Sequence, residues 1–408
     1  MKQKIQMKQA PKKPELLAPA GDFISLREAV KAGCDAVYFG IKGFNMRAGA
    51  KNFKTSDLPE IKKICGKTKK YLVLNTIIYE NELKQAEEII KKTKKYADAV
   101  ICWDASIINL CRKYKMPFHI STQASVSNSK SALFYKKLGA ERIIPARECT
   151  LEQIKEIKHK AGIIVEAFIH GAMCVSVSGR CFMSQFTFGR SANRGECLQN
   201  CRREYTIQDI DKEFQLKLGS NYVMSAKDLC TMPFIDKLIS AGIDAFKIEG
   251  RNRPPEYVKT SVEAYREAID AYYAGKLTKE LKEKLTAKLK KVYNKDFSSG
   301  FYMGKPINEF TDEYGNKATT KKEFIGKVQN YYPKAKVVEI SVESSTFNKG
   351  DTLMIQGTTT GIIEFKAEEI MQDEKMTEQV KRGKATIKLG EKARKNDVVY
   401  LICKLLCA

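Results

Sequence analysis

Short apolar runs alternate with longer amphipathic stretches from residue 15 to about residue 275. The runs are LLAPA (16–20), DAVYFG (35–40), YLVLNT (71–76), DAVICW (98–103), PFHIS (117–121), ERIIPA (141–146), IIVEAFI (163–169) and DAFKIEG (244–250), each with the length and composition of a strand. Between them, SLREAVKAG, LKQAEEIIKKTKKYA, SALFYKKLG and LEQIKEIKHKAG space their apolar residues for a helix. In KAGCDAVYFG, KLGAERIIPAR and SAGIDAFKIEG a glycine ends the helix and a strand follows at once. Strand and helix in alternation predict a parallel sheet built from βαβ crossovers. Eight strands over this span predict a (β/α)8 TIM-like barrel across residues 15–275. A doubly wound open sheet is the alternative, but no G-x-G-x-x-G follows the first strand. YVMSAKDL (222–229) is a further candidate strand that would shift the count by one.

Residues 276–321 read as a lysine-rich helical linker region, beginning KLTKELKEKLTAKLKKVY. From 322 to 408 short strands and Gly- or Asp-containing turns take over, which predicts a small antiparallel β-barrel as an accessory domain. Residues 1–14 carry five lysines and no acid and read as a disordered basic arm.

In a barrel the residues directly after the strands form the mouth where chemistry occurs. Here those positions hold Asn75, Asp104, Ser121, Gln123, Arg147, Glu148, His170, Lys247, Glu249 and Arg251. Arg47, Arg147, Lys247 and Arg251 suit an anionic small molecule, the arginines by forked pairing, or else structural ion pairs with Glu148, Glu166 or Glu249. Four of the chain's 12 cysteines follow the seventh predicted strand: Cys174, Cys181, Cys197 and Cys201, spaced C-x6-C-x15-C-x3-C within a cysteine-rich segment at 166–230. They sit among glycine, serine and arginine rather than on apolar faces, where a thiol gains little from burial. Thiolates converging on a soft metal or an iron–sulfur cluster explain that placement, and the spacing is not that of a C-x2-C zinc knuckle. Core thiols, or a disulfide pair in a secreted protein, are the alternatives.

The N-terminal sequence has no apolar core of a signal peptide, and no apolar run approaches the roughly 18 residues of a membrane span. A cytoplasmic protein with no membrane partner is expected, with its cysteines reduced or metal-bound. The formal charge of +24, from 72 basic and 48 acidic side chains, favours a polyanionic partner such as RNA. H-E-x-x-H, G-x-S-x-G and P-loop motifs are missing, which argues against zinc peptidase, serine hydrolase and nucleotide hydrolysis chemistry. A Cys–His dyad of Cys174 with His170 would leave the other three cysteines unexplained.

The run Glu166-x-Phe168-x2-Gly171-Ala172-Met173-Cys174-x4-Gly179-x-Cys181-x-Met183-Ser184 resembles the signature of the collagenase-like peptidase family of unassigned catalytic type. ELLAPAGD, DAVYFGIKGFNMRA, HISTQAS, KDL, KIEGR and NKDFSSGFY are similar to further blocks of that family, in family order, over roughly residues 15–305. The segment from 322 is similar to the accessory barrel of some members. The resemblance implies an oxygen-independent hydroxylation factor carrying a 4Fe–4S cluster on four cysteines. One branch makes 5-hydroxyuridine at the tRNA wobble position in a prephenate-dependent reaction, another hydroxylates a cytidine of ribosomal RNA, and a third serves ubiquinone synthesis. Carried onto this chain, the cluster ligands are Cys174, Cys181, Cys197 and Cys201, with Cys230 as the alternative fourth. Asn294-Lys295-Asp296-Phe297 departs from the family's common Asn-Arg-Gly-Phe and loses a guanidinium fork.

The leading expectation is therefore a tRNA uridine hydroxylation enzyme. Glu166, His170, His119 and Gln123 are its candidate catalytic residues, and Asn75, Arg47, Arg147, Lys247, Glu249 and Arg251 would bind substrate. Its expected partners are tRNA, the iron–sulfur assembly machinery and, in an oligomer, another copy or a related family member. A peptidase, and an RNA-binding or assembly factor that merely carries a cluster, are the alternatives.

Overall fold

The computed structural model describes residues 12–177, 180–218, 225–307, 309–311 and 315–405. Most of the basic arm, Ser178 and Gly179 of the signature run, the start of the YVMSAKDL segment and Cys407 lie outside the described residues.

The eight anticipated strands all form: β1 (Glu15–Ala20), β2 (Ala36–Gly40), β3 (Lys69–Leu74), β4 (Ala99–Cys102), β5 (Phe118–Ile120), β6 (Arg142–Ile143), β7 (Ile164–Gly171) and, later in the chain, β11 (Ala245–Ile248). Each pairs in parallel with the next, β7 pairs with β11, and β11 returns to β1 through Glu15↔Ala245 and Leu17↔Lys247. The sheet is thus a closed ring of TIM type.

Helices α1 (Phe23–Lys31), α2 (Leu58–Cys65), α3 (Leu83–Thr93), α4 (Ala105–Lys113), α5 (Ser129–Lys137) and α6 (Leu151–Ala161) fill the crossovers. Local chemistry starts and stops them. Asp22, Asp104 and Asn128 accept backbone N–H groups of the first turns of α1, α4 and α5, and a Thr150–Gln153 capping box opens α6. The main core lies between the ring and its helices, and a second cluster fills the ring's interior with Leu17, Tyr38, Tyr71, Val73, Ile101 and Phe168.

Between β7 and β11 the chain leaves the barrel. It forms α7 (Met183–Phe188), a hairpin of β8 (Tyr205–Gln208) and β9 (Gln215–Leu218), the short β10 (Asp228–Cys230) and α8 (Ile235–Ser240). The end of YVMSAKDL is a strand, but β10 runs antiparallel to the tip of β7, where Cys230 faces His170. Because β7 and β11 are already paired in parallel, β10 stays outside the ring and the count of eight stands.

The lysine-rich region read as a helical linker packs on the outside of the barrel. After α9 (Pro255–Tyr273), α10 (Lys279–Lys290) buries Leu285 and Leu289 in the main core, and β12 (Phe297–Ser298) pairs with β10.

The accessory domain begins with β13 (Thr320–Tyr332) and continues through β14 (Val337–Val342), β15 (Phe347–Asn348), β16 (Thr352–Gly357), β17 (Gly361–Lys366), β18 (Ile370–Gln372), β19 (Lys375–Met376), β20 (Gln379–Val380), β21 (Gly383–Lys388) and β22 (Val398–Lys404). Eight of these strands make one antiparallel sheet around a single core that includes Ile325, Ile340, Ile355, Ile387 and Val399. The domain docks on α1 and α9. Ile362 N donates to the buried Glu28 Oε1 at 2.8 Å, and Glu256 accepts from Gln356 at 2.9 Å and pairs with Lys322 at 2.8 Å.

Candidate active site at the mouth of the barrel

A cavity of about 230 Å³ opens at the C-terminal ends of the strands. The loop after β2 brings Arg47 to it, and the loop after β3 brings Asn75. Ser121 and Gln123 follow β5, Arg147 follows β6, Cys174 follows β7, and Glu249 and Arg251 follow β11. Lys247 rises from within β11. All six residues expected to bind substrate therefore line one cavity, and Gln123 lines it with them.

Its polar wall is organised. Asn75 Nδ2 donates to Gln123 Oε1 at 3.2 Å, and Asn75 Oδ1 accepts Met46 N at 3.2 Å, which ties the loop after β2 to the loop after β5. Arg47 Nε donates to Glu249 Oε1 at 3.0 Å, and Arg251 Nη1 to Asn45 Oδ1 at 2.8 Å. Six cations (Arg47, Arg147, Arg202, Lys247, Arg251, Arg253) face one carboxylate, Glu249. Burial alone would raise that carboxylate, but Arg47, Arg251 and Arg147 together hold it below its ordinary value. Burial lowers Arg251 to about 10, which leaves it charged. Arg147 lies over the Phe168 ring at 4.6 Å and donates Nη1 to Ala172 O, while its Nε and Nη2 have no hydrogen-bond partner. Arg202 Nη1 and Arg251 Nε are likewise unpartnered. Buried guanidinium N–H groups left over at a cavity wall suit an anionic ligand.

Glu166, His119 and His170, expected as catalytic residues, do not line this cavity. Glu166 lies in the barrel's interior, fully buried, bonded to Lys247 Nζ at 2.9 Å and Arg142 Nη1 at 2.7 Å. Burial would raise it, but Lys247 and Arg142 outweigh burial and keep it ionised. His119 packs edge-on to Tyr71 at 4.7 Å, and burial, reinforced by Arg142, keeps it neutral.

His170 is displaced by a bulge. Phe168 faces Lys247 but His170 faces Ile248, so β7 carries one extra residue there. The side chain therefore leaves the inward row of Glu166 and Phe168 and packs among Tyr257, Tyr265 and Phe297. Burial lowers His170 to about 3. Asp104 caps α4 and Glu148 is exposed, so neither joins the cavity wall.

Cys174, Cys197 and Cys201 line the cavity directly. The Cys201 thiol is raised by burial, lowered by Arg202 and raised again by Cys174, Cys197 and Cys181, so the four sulfurs are electrostatic neighbours. Two of them accept backbone N–H groups: Cys181 Sγ from Met183 and Cys197 Sγ from Gln199, both at 3.4 Å. All four are free thiols, and among the described residues no three His, Cys, Asp or Glu side chains close on a single ion. Cys230 lies in the main core beside Tyr265, does not line the cavity, and is raised by burial to about 11.

Arginines pin the cysteine-bearing segment over the mouth. Arg180 stacks over Trp103 at 4.6 Å and donates to Gln123 O at 2.6 Å. Arg194 makes a forked pair with Glu82, one arm at 3.0 Å, and donates to Ile77 O. Gly195 lets this segment approach the loop after β2, because a Cβ there would meet Asn45 O at 2.3 Å, and its φ is +87°. Arg202 and Arg253 were not anticipated as cavity residues. Their only signal is proximity, Arg202 directly after Cys201 and Arg253 two residues after Arg251.

The chain belongs to peptidase family U32, whose family model matches residues 21–312. It is 39% identical over 402 residues to a protein named collagenase from Porphyromonas gingivalis, covering 95% of this chain and 97% of that one. It is 36% identical over 357 residues to tRNA hydroxylation protein P1 of Bacillus subtilis, covering 85% of this chain and 84% of that one. It is also 38% identical over 260 residues to the 23S rRNA 5-hydroxycytidine C2501 synthase of Escherichia coli, covering 63% of this chain and 39% of that one. Among the described residues no helix is long and apolar enough to cross a membrane.

Proposed function

We propose that this protein is a cytoplasmic iron–sulfur enzyme that hydroxylates the wobble uridine of tRNA to 5-hydroxyuridine, with prephenate as co-substrate. The observation that carries the reading is one cavity in which three of the four segment cysteines share a wall with six cations and a single carboxylate. Relatives named for RNA hydroxylation support the reaction class.

The donor set fits a cluster. Four free thiols lie among arginines as electrostatic neighbours, and two of them already accept backbone N–H bonds. An iron–sulfur cluster takes such a set of cysteine thiolates, each on one iron. Cys174, Cys181, Cys197 and Cys201 would hold it, and it would supply electron transfer at the mouth. Arg147, Arg251 and Arg202, with unpartnered N–H groups, would seat the carboxylates of prephenate. Glu249 holds Arg47 in place, and Asn75 and Gln123 offer amide groups for orienting a polar ring. The surplus of 24 positive charges would hold the RNA backbone.

The test is mass spectrometry of tRNA nucleosides from a deletion strain, complemented with wild type or with Arg147→Met. Loss of 5-hydroxyuridine-type nucleosides, restored by wild type alone, is expected. Unchanged nucleosides in a strain lacking every family member would sink the reading.

The collagenase name of one relative favours a peptidase. Against that, no histidine or aspartate lines the cavity among the described residues, and His170 points away from Cys174. Gelatin cleavage by iron-free protein would establish the peptidase instead.

A further inference from the structure

Helix α7 is built inside out. Its polar Ser184 is buried, where its Oγ meets Asn200 Oδ1 at 2.8 Å, and Asn200 Nδ2 donates to Thr187 Oγ1 at 3.2 Å. Its aromatic residues face solvent: Phe186 is 86% exposed, and Phe182 and Phe188 are 61% and 44% exposed. An ordinary surface helix does the reverse. Asn200 lies between Cys197 and Cys201, so these rings are fixed to the turn that forms the cavity rim.

Phe182 and Phe186 are four residues apart and their rings lie 6.1 Å from one another. Arginines surround them. Arg203 lies over the Phe188 ring at 5.1 Å, Arg180 and Arg190 are exposed, and residues 172–205 contain five arginines and two glutamates. Flat exposed rings among guanidinium groups match the chemistry of unpaired nucleobases on a phosphate backbone. A purely apolar protein partner would not call for that charge. An acidic peptide would not call for the rings.

We infer that the Phe182–Phe186–Phe188 face, with Arg190 and Arg203, is the platform on which single-stranded RNA stacks as it enters the cavity. This rests on the RNA-modifying reading and adds where the strand docks. Bases stack on Phe182 and Phe186, and the arginines take the flanking phosphates.

The test uses the full chain with a single-stranded oligouridylate of about ten nucleotides, within the span such sites cover. A duplex RNA of the same length serves as control. Phe186→Ala weakens the single strand about tenfold and the duplex little, and Phe186→Tyr restores binding. Arg190→Gln lowers the slope of log affinity against log salt by about 1 for both probes. In Phe186→Trp, emission from residue 186 is quenched by the oligonucleotide; Trp103 is the chain's one native tryptophan and serves as the background.

Wild type that binds RNA while Phe186→Ala binds equally well, or an unquenched Trp at 186, overturns the platform and leaves the RNA reading standing. Wild type that binds neither probe overturns both. Loss in Phe186→Ala of binding to vesicles of anionic lipid, with RNA affinity unchanged, overturns the platform in favour of a membrane surface.

Discussion

Arg194 and Glu82 are 112 positions apart in sequence and meet in a forked ion pair at the rim of the barrel. Each side chain is only 19% exposed, so the pair is shielded enough to matter. A double-mutant cycle on Arg194→Ala and Glu82→Ala is expected to give a coupling of about 1–2 kcal/mol. Arg194→Lys restores little of it, because an ammonium cannot make the fork. Coupling near zero in urea denaturation would show that the cysteine segment is held by other contacts.

Cys201→Ala and Cys230→Ala separate a cavity thiol from a core thiol. Anaerobically purified Cys201→Ala is expected to lose iron and sulfide, whereas Cys230→Ala retains both. The second variant instead loses about 1–2 kcal/mol of stability from the small void it opens beside Tyr265. Iron analysis paired with thermal unfolding reads both outcomes. Iron loss in Cys230→Ala alone would reverse the assignment.

Removing Glu166 leaves Arg142 and Lys247 as neighbouring buried cations with one fewer counter-charge. Glu166→Ala is expected to cost about 3–5 kcal/mol in denaturant unfolding. Glu166→Ala with Lys247→Met recovers part of that loss, because one unpaired charge goes with its partner. Failure of the double variant to recover would place the cost in packing.

Acid should destabilise the fold in two stages. His170 is lowered by burial to about 3, and His119 is lowered as well, so below pH 6.5 the unfolded chain takes up protons that the folded one does not. Stability then falls by up to about 1.4 kcal/mol per pH unit for each histidine below pH 6.5, for His170 as far as about pH 3. Glu166, held below 4.5, adds its loss only below that value, as pH falls through its folded pKa. Thermal midpoints between pH 7 and 4.5 should show a slope that His170→Phe roughly halves. An unchanged slope would mean that His170 is solvated.

Gly195→Ala places a methyl group against Asn45 O and demands a positive φ of an L-residue. The Cys197 arm is expected to lift, with lower iron content but far-UV circular dichroism close to wild type. Full iron occupancy would show that the arm tolerates the shift.

The ring of strands was legible because apolar runs, helical spacing and glycine stops recur at every βα unit, as in KAGCDAVYFG and SAGIDAFKIEG. The cavity residues were legible because position after a strand maps onto the mouth. Where the reading failed, the cause was local geometry. One extra residue in β7 sends His170 outward, and no residue type marks that bulge. Glu166 and His119 sit on inward positions, but below the cavity rather than in it. The Arg194–Glu82 fork and the inverted face of α7 arise from loops far apart in sequence, which periodicity does not register.

A ring has one joint that chain connectivity does not close in order, here where β11 meets β1. Helices α1 and α9 pack against each other beside β1 at that joint, and the accessory domain holds both, through Glu28 on one and Glu256 on the other. The tail domain thus serves as a clasp across the barrel's seam. Residues that never approach the site therefore hold together the two helices that flank the seam.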